Sequence, residues 1–254
     1  MKAIVLLSQG VHPVSGKSCL PRPEAQAARL AAGLDPLPTG LHAGPGQEAV
    51  REALGRGLAH LTHLAMEDGA DPVPALVAAL AAAAPDLVLA GPRGQGGADT
   101  GLVPYALAHA LGWPLVADLV ALEPGTEPGT LKIEQALPKG ARRRIVVRLP
   151  AVVTVHPGAP APLPFAFGRA RAGGMIRRAV ATPPPAPIEG LMEKSYRKRP
   201  KVMGQAGGTA AERLAAVTGG GAGTGRVLVN PAPGEAAREI IAFLRGIGVL
   251  KARA

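Results

Sequence analysis

Unbroken apolar runs, rather than alternating ones, mark the first strands of this chain. Residues 3–7 (Ala-Ile-Val-Leu-Leu) contain no polar position, as a strand buried on both faces of a parallel sheet requires. Residues 23–33 follow with a proline at the start and a glycine at the end, which predicts a helix. The unit then repeats. A short run at 38–43 precedes a Gly44-Pro45-Gly46 break and a helix predicted over 47–58, where Val50, Leu54 and Leu58 recur every four residues. A strand at about 60–65 leads into an Ala-rich helix at about 72–84 that opens after Asp71-Pro72. Asp86-Leu87-Val88-Leu89-Ala90 is the next strand, and a glycine-rich turn from Gly91 to Gly101 hands over to an apolar helix ending at Leu111. Strand and helix alternating at this pitch predict an α/β fold, a parallel sheet with helices on both faces.

The pattern changes at Trp113. From Leu115 to Val155 the segments are β-like: 119–122 and 131–136 flank a turn rich in Pro and Gly, and 144–148 and 151–155 follow. Together they predict an antiparallel β extension of the parallel sheet. From His156 onward prolines dominate, and Pro183-Pro184-Pro185 with the glycine cluster from Gly204 to Gly225 predicts an extended C-terminal arm. A final helix over about 233–246 carries Ile240, Ile241 and Leu244 on one stripe. The expected division is an α/β domain over 1–180 and an arm with a terminal helix over 181–254.

Composition narrows the function. Hydrophobic residues are 47% of the 254 but aromatics only 2%, so the core is built from Ala, Val and Leu. A single cysteine, Cys19, excludes a disulfide scaffold. No apolar run reaches the roughly 18 residues of a membrane span, and Met1-Lys2 leads directly into the first strand without the apolar region of a secretory leader. A cytoplasmic location is expected. The net charge of +10 is uneven: 14 Lys and Arg against two acids fall between Lys139 and Lys201, and the rest is close to neutral. Such a stripe suits an acidic partner. Single-stranded nucleic acid needs aromatic platforms between the charges, and this region offers only Phe165, Phe167 and Tyr196. A protein partner is therefore expected, with no nucleic acid.

The candidate chemistry centres on the loop Gly91 to Gly101, between a predicted strand and a predicted helix. Glycines there let backbone N–H groups approach a phosphate, and the following helix adds partial positive charge. Asp99 or Thr100 is placed to cap that helix. This predicts a nucleotide-binding, Rossmann-like type of sheet. Gly10 to Ser18 nearly spells a P-loop, but the first glycine is displaced by one position and Pro13 removes a donor. The six histidines are scattered, and no nucleophile elbow or carboxylate pair is present. The residue set is that of a binder or carrier rather than a hydrolase.

Gly44-Pro45 before an Ala-rich helix, Asp86 to Gly91, Asp99-Thr100-Gly101, Leu111-Gly112-Trp113-Pro114 and Leu149-Pro150-Ala151-Val152-Val153-Thr154-Val155 together resemble the β subunit of electron transfer flavoprotein. The resemblance covers nearly the whole chain. It implies a non-catalytic carrier subunit that binds AMP, or a second FAD, and pairs with an α subunit holding the redox-active FAD. Electrons would pass from an acidic-surfaced dehydrogenase to the respiratory chain. By the same resemblance the nucleotide touches Leu6, Leu7, Ser8, Ala43, Gly91, Gln95, Gly96, Asp99, Thr100 and Gly101. The family's partner-recognition loop corresponds to Pro162 to Arg171, with Phe165 and Phe167 as anchors beside Arg169 and Arg171. The arm resembles the extension that wraps the α subunit. Ser8-Gln9 stands where the family usually has Lys-Arg. A universal-stress-type nucleotide-binding regulatory module is the rival, but it needs neither the β extension nor the arm.

Overall fold

The computed structural model describes residues 1–12, 14–94, 100–181, 228–246 and 250. The chain divides into two compact units, Met1–Glu189 and Gly190–Ala254. All five residues of β1 (Ala3–Leu7) are buried, which only a strand covered on both faces permits. In the first unit β1 lies inside a nine-stranded sheet with β4 (Thr39–Gly44), β5 (His60–Ala65), β6 (Leu87–Ala90), β7 (Leu115–Pro124), β8 (Thr130–Ala136), β9 (Arg142–Arg148), β10 (Ala151–Val155) and β11 (Gly174–Ala179). The order is β11-β5-β4-β1-β6-β10-β7-β8-β9. Every pairing from β11 across to β7 is parallel, and β7, β8 and β9 pair antiparallel. A separate two-stranded hairpin is made by β2 (Gly10–Val11) and β3 (Ser18–Cys19).

Period-two alternation divides the apolar strand residues between two cores. Val5, Leu89 and Val153 face α1 (Arg22–Leu34), whose Ala27, Ala28 and Ala31 are fully buried. Alanine on that face lets the helix sit close to the sheet, so a core with few aromatics still packs. Ile4, Val88 and Val152 face the other way, against Leu76 and Leu80 of α3 (Val73–Ala83) and Leu107 of α4 (Val103–Leu111). Each leucine so buried contributes about 1.5–3 kcal/mol. All three helices carry proline in the first turn, where its missing N–H costs nothing. α3 and α4 end on left-handed residues, Ala84 at φ 45° and Gly112 at φ 68°. Among the described residues no helix is long and apolar enough to cross a membrane.

Three elements differ from the sequence expectation. The predicted helix over 47–58 contracts to the short α2 (Glu52–Gly55), because Gly55 and Gly57, the latter at φ 116°, end it. β10 does not belong to the antiparallel extension: it returns to the sheet centre, parallel to β6 on one side and to β7 on the other. β7 bulges against β10 between Val116 and Leu119, where Asp118 is held at φ 57° and donates its N–H to Thr154 Oγ1. Finally, residues 174–179, at the end of the expected 1–180 domain and without a predicted strand, are β11, an edge strand registered on β5 from Gly174↔His60 to Ala179↔Ala65. Arg177 and Arg178 keep its outer part exposed, as an edge strand requires. α5 (Phe167–Ala172) precedes it. In the second unit the described helix is α6 (Pro233–Gly246), on which Ile240, Ile241 and Phe243 are exposed. Of the predicted arm over 181–254, residues 182–227 lie outside the described residues.

Candidate functional site

The chain leaves β1 toward α1 on one face of the sheet and leaves the neighbouring β6 toward α4 on the other. A crevice opens where connections diverge in this way, at the carboxyl ends of the strands. A cleft of about 650 Å³ occupies it, within the usual range for small-molecule sites. Leu6, Leu7 and Ser8 from β1 and its exit, Ala43 from β4, Gly91 after β6, and Thr100 and Gly101 before α4 all line it. The fold thus brings seven of the sequence-predicted site residues to one place. Gln95, Gly96 and Asp99 lie outside the described residues.

Two glycines are required by their surroundings. A Cβ on Gly91 would lie 3.2 Å from Glu24 Cγ and 3.4 Å from the Arg93 carbonyl oxygen. Gly101, at φ 74°, has Arg93 Cγ at 3.0 Å and the Pro92 carbonyl oxygen at 3.1 Å from the same position. Thr100 Oγ1 accepts the Leu102 N–H at 3.2 Å, fixing the entry to α4.

Glu24 was not anticipated. It sits in the first turn of α1, is 2% exposed and lines the cleft. Its Oε2 accepts the Ser8 N–H at 2.7 Å, and its Oε1 pairs with the Ser8 hydroxyl at 2.5 Å. Burial outweighs these two bonds and pushes the carboxyl up to about 8. At neutral pH it therefore adds little negative charge to the cleft. The sequence signal was the acid directly after the Pro21-Arg22-Pro23 helix entry, but only the register of α1 on β1 turns it toward Ser8.

The histidines expected to be scattered are partly gathered. His42 and His63 hold facing register positions on β4 and β5 and are both buried, with rings stacked at 5.2 Å and 23°. No group of three metal-ligating side chains forms among the described residues. Glu67, Asp68 and Asp71, between β5 and α3, edge the cleft with acids.

The basic stripe of the sequence separates in space. Lys139 and the arginines of β9 lie at one edge of the sheet, whereas Arg177 and Arg178 of β11 mark the opposite edge. Arg169 and Arg171 are exposed on α5. Lys194 to Lys201 are outside the described residues. The two phenylalanines also differ. Phe165 lies over Gly55, where an added Cβ would meet its ring at 2.3 Å, while Phe167 is 74% exposed. The segment is tied down: the Ala166 N–H donates to the Gly55 carbonyl at 2.8 Å, and Arg56 donates to the Leu163 carbonyl at 3.1 Å. Phe165, Phe167 and Arg171 border a shallow hollow against Glu48, Arg51 and Glu52.

Comparison with known proteins gives two findings. The electron transfer flavoprotein domain family model matches residues 24–183. The electron transfer flavoprotein subunit beta of Chromohalobacter salexigens is 38% identical over 258 residues, spanning 99% of this chain and 96% of that protein.

Proposed function

This chain belongs to the electron transfer flavoprotein β-subunit family, and from that premise we propose that its cleft holds AMP while a companion α subunit holds FAD. The convergence of Leu6, Leu7, Ser8, Ala43, Gly91, Thr100 and Gly101 on one cleft at the strand divergence carries this proposal. Gly91 and Gly101 line the cleft and let the β6–α4 connection pass close to Glu24, Pro92 and Arg93, and the start of α4 supplies favourable partial charge. The Ser8 amide is already committed to Glu24, so the phosphate end belongs beside α4 and the nucleoside end beside β1 and β4. Gln95, Gly96 and Asp99 complete the proposed set through the family resemblance. The acidic edge at Glu67, Asp68 and Asp71 disfavours additional phosphates. AMP is accordingly expected to bind at least roughly tenfold more tightly than ATP. Isothermal calorimetry on the full chain tests this, and tighter binding of ATP would favour a regulatory nucleotide module instead.

The redox chemistry is supplied by the flavin when it is bound. This chain's part in the proposal is structural and directional: it positions the α subunit and docks an acidic dehydrogenase through the segment bearing Phe165, Phe167, Arg169 and Arg171. Its setting is cytoplasmic, it has no catalytic residues of its own, and electrons pass on to the respiratory chain. Phe167, the exposed aromatic, is the docking anchor, and Phe165 holds the segment in shape by packing on Gly55. Phe167→Ala is expected to slow electron uptake at subsaturating dehydrogenase by about tenfold while leaving unfolding unchanged. Phe165→Ala is expected to cost about 1–3 kcal/mol of stability. Stopped-flow reduction and denaturant unfolding of both variants check this; unchanged uptake in Phe167→Ala would remove the anchor assignment.

A further inference from the structure

His42 is 3% exposed and lines the cleft, and it touches both strand ends that form the nucleoside side. Its Nδ1 lies 2.8 Å from the carbonyl oxygen of Leu7, the last residue of β1. Its Nε2 lies 2.8 Å from the carbonyl oxygen of Gly46, in the loop that leaves β4. Carbonyl oxygens only accept, and a neutral imidazole carries one N–H. In the neutral ring one of the two contacts therefore sets a lone pair against a lone pair. The imidazolium satisfies both. His63 is not under the same constraint: its Nε2 faces the Gly44 carbonyl at 2.8 Å, but its Nδ1 faces the Gln47 side-chain amide at 3.2 Å. That amide can turn its NH2 toward the ring, so a neutral His63 is satisfied on both sides.

The groups packed on His42 are Leu7 from β1, His63 from β5, and Gly44 and Gly46 from its own loop. Among the described residues His63 is the titratable group acting on it; Glu24 is engaged with Ser8. Burial, joined by His63, holds the His42 titration below its ordinary value, against the opposite pull of the Leu7 and Gly46 carbonyls. The ring is thus neutral at pH 7 and gains its second bond on acidification.

We propose that His42 is a positioning residue that couples proton uptake to nucleotide binding, its imidazolium clasping β1 to the Gly44–Gly46 loop at the nucleoside side of the cleft. This rests on the nucleotide-binding proposal above. Leu7 and Gly44 line the cleft, so joining the two strand ends through one ring fixes the spacing the nucleoside meets. Tightening by protonation and proton uptake on binding are then two sides of one coupling.

The test is an NMR titration of the histidine Cε1–H signals of the full chain with and without saturating AMP, with His42→Gln identifying the signal. AMP is expected to move the His42 midpoint upward by roughly half to one pH unit, and AMP affinity to be about three- to tenfold higher in the imidazolium state. The same gain of affinity between pH 7.5 and 5.5 should disappear in His42→Gln. The AMP phosphate, whose second pKa is near 6, titrates equally in both experiments, so the effect of His42 is read as the wild-type gain in excess of that of His42→Gln. If His42→Gln does not fold, triple-resonance assignment of the wild-type chain identifies the His42 signal and the wild-type titration decides. AMP that binds without moving the His42 midpoint overturns the clasp and leaves nucleotide binding intact. Failure of AMP to bind at any pH overturns both.

Discussion

Gly101→Val is expected to weaken AMP binding by about 100-fold while the sheet stays folded. Gly101 holds φ 74°, a conformation that costs an ordinary L-residue about 1–2 kcal/mol and a β-branched one more. The new Cβ would also press on the Pro92 carbonyl oxygen at 3.1 Å and Arg93 Cγ at 3.0 Å. Backbone cannot give way as a flexible side chain can, so the connection from β6 to α4 must shift, and the phosphate side of the cleft shifts with it. A 100-fold loss corresponds to about 2.7 kcal/mol, comparable to the strain and lost contacts together. Gly129 supplies the control: at φ 72° it carries similar strain, but nothing lies within 4 Å of its added Cβ and it does not line the cleft. Gly129→Val should lose a comparable amount of stability and keep its AMP affinity. Equal affinities for the two variants in equilibrium dialysis would remove the β6–α4 connection from the site.

Glu24→Gln is expected to stabilise the protein at alkaline pH and to do little at pH 4.5. An acid whose native value is raised to about 8 from 4.5 keeps its proton in the folded chain after the unfolded chain has lost its own. Between these values the native state binds the extra proton, so stability falls as pH rises, by about 1.4 kcal/mol per unit. The loss is complete above pH 8 and amounts to about 5 kcal/mol. Glutamine keeps both partners, accepting the Ser8 N–H and donating to the Ser8 hydroxyl, but has no charge to bury. The gap between variant and wild type should therefore open across this window to several kcal/mol, roughly 10 °C or more in Tm. Parallel Tm curves for the two proteins would show that Glu24 ionises freely in the fold.

What the sequence revealed, and what it concealed, follows from where each signal is encoded. β1 and β6 were legible because a strand buried on both faces has no polar residue to interrupt it, and β10 departs from that only at the buried Thr154. The seven cleft residues came from the family resemblance, and they meet because the carboxyl ends of parallel strands lie at the same end of the sheet; of them, only the glycine-rich loop from Gly91 to Gly101 was legible from its own residues. β11 was hidden by its place at the edge: only Met175 and Ile176 are apolar enough to suggest a strand, and the arginines beside them read as solvated loop. β10 looked antiparallel because it follows a meander, and its return to the centre depends on pairing with β6, more than 60 residues earlier. Glu24 and the His42–His63 stack depend on register between distant elements, α1 on β1 and β4 on β5. No local spacing records that. The separation of the basic stripe has the same origin, since residues adjacent in sequence are carried to opposite edges of the sheet.

The cleft's occupant can be read from the protein isolated together with its α subunit. Nucleotides released by denaturing the heterodimer would be identified and counted by mass spectrometry against the polypeptide concentration. One AMP and one FAD per heterodimer is the expected result, with AMP lost selectively from the Gly101→Val form. A heterodimer that carries FAD but no AMP, or that releases ATP instead, would contradict the assignment of the β1–β6 cleft as an AMP site.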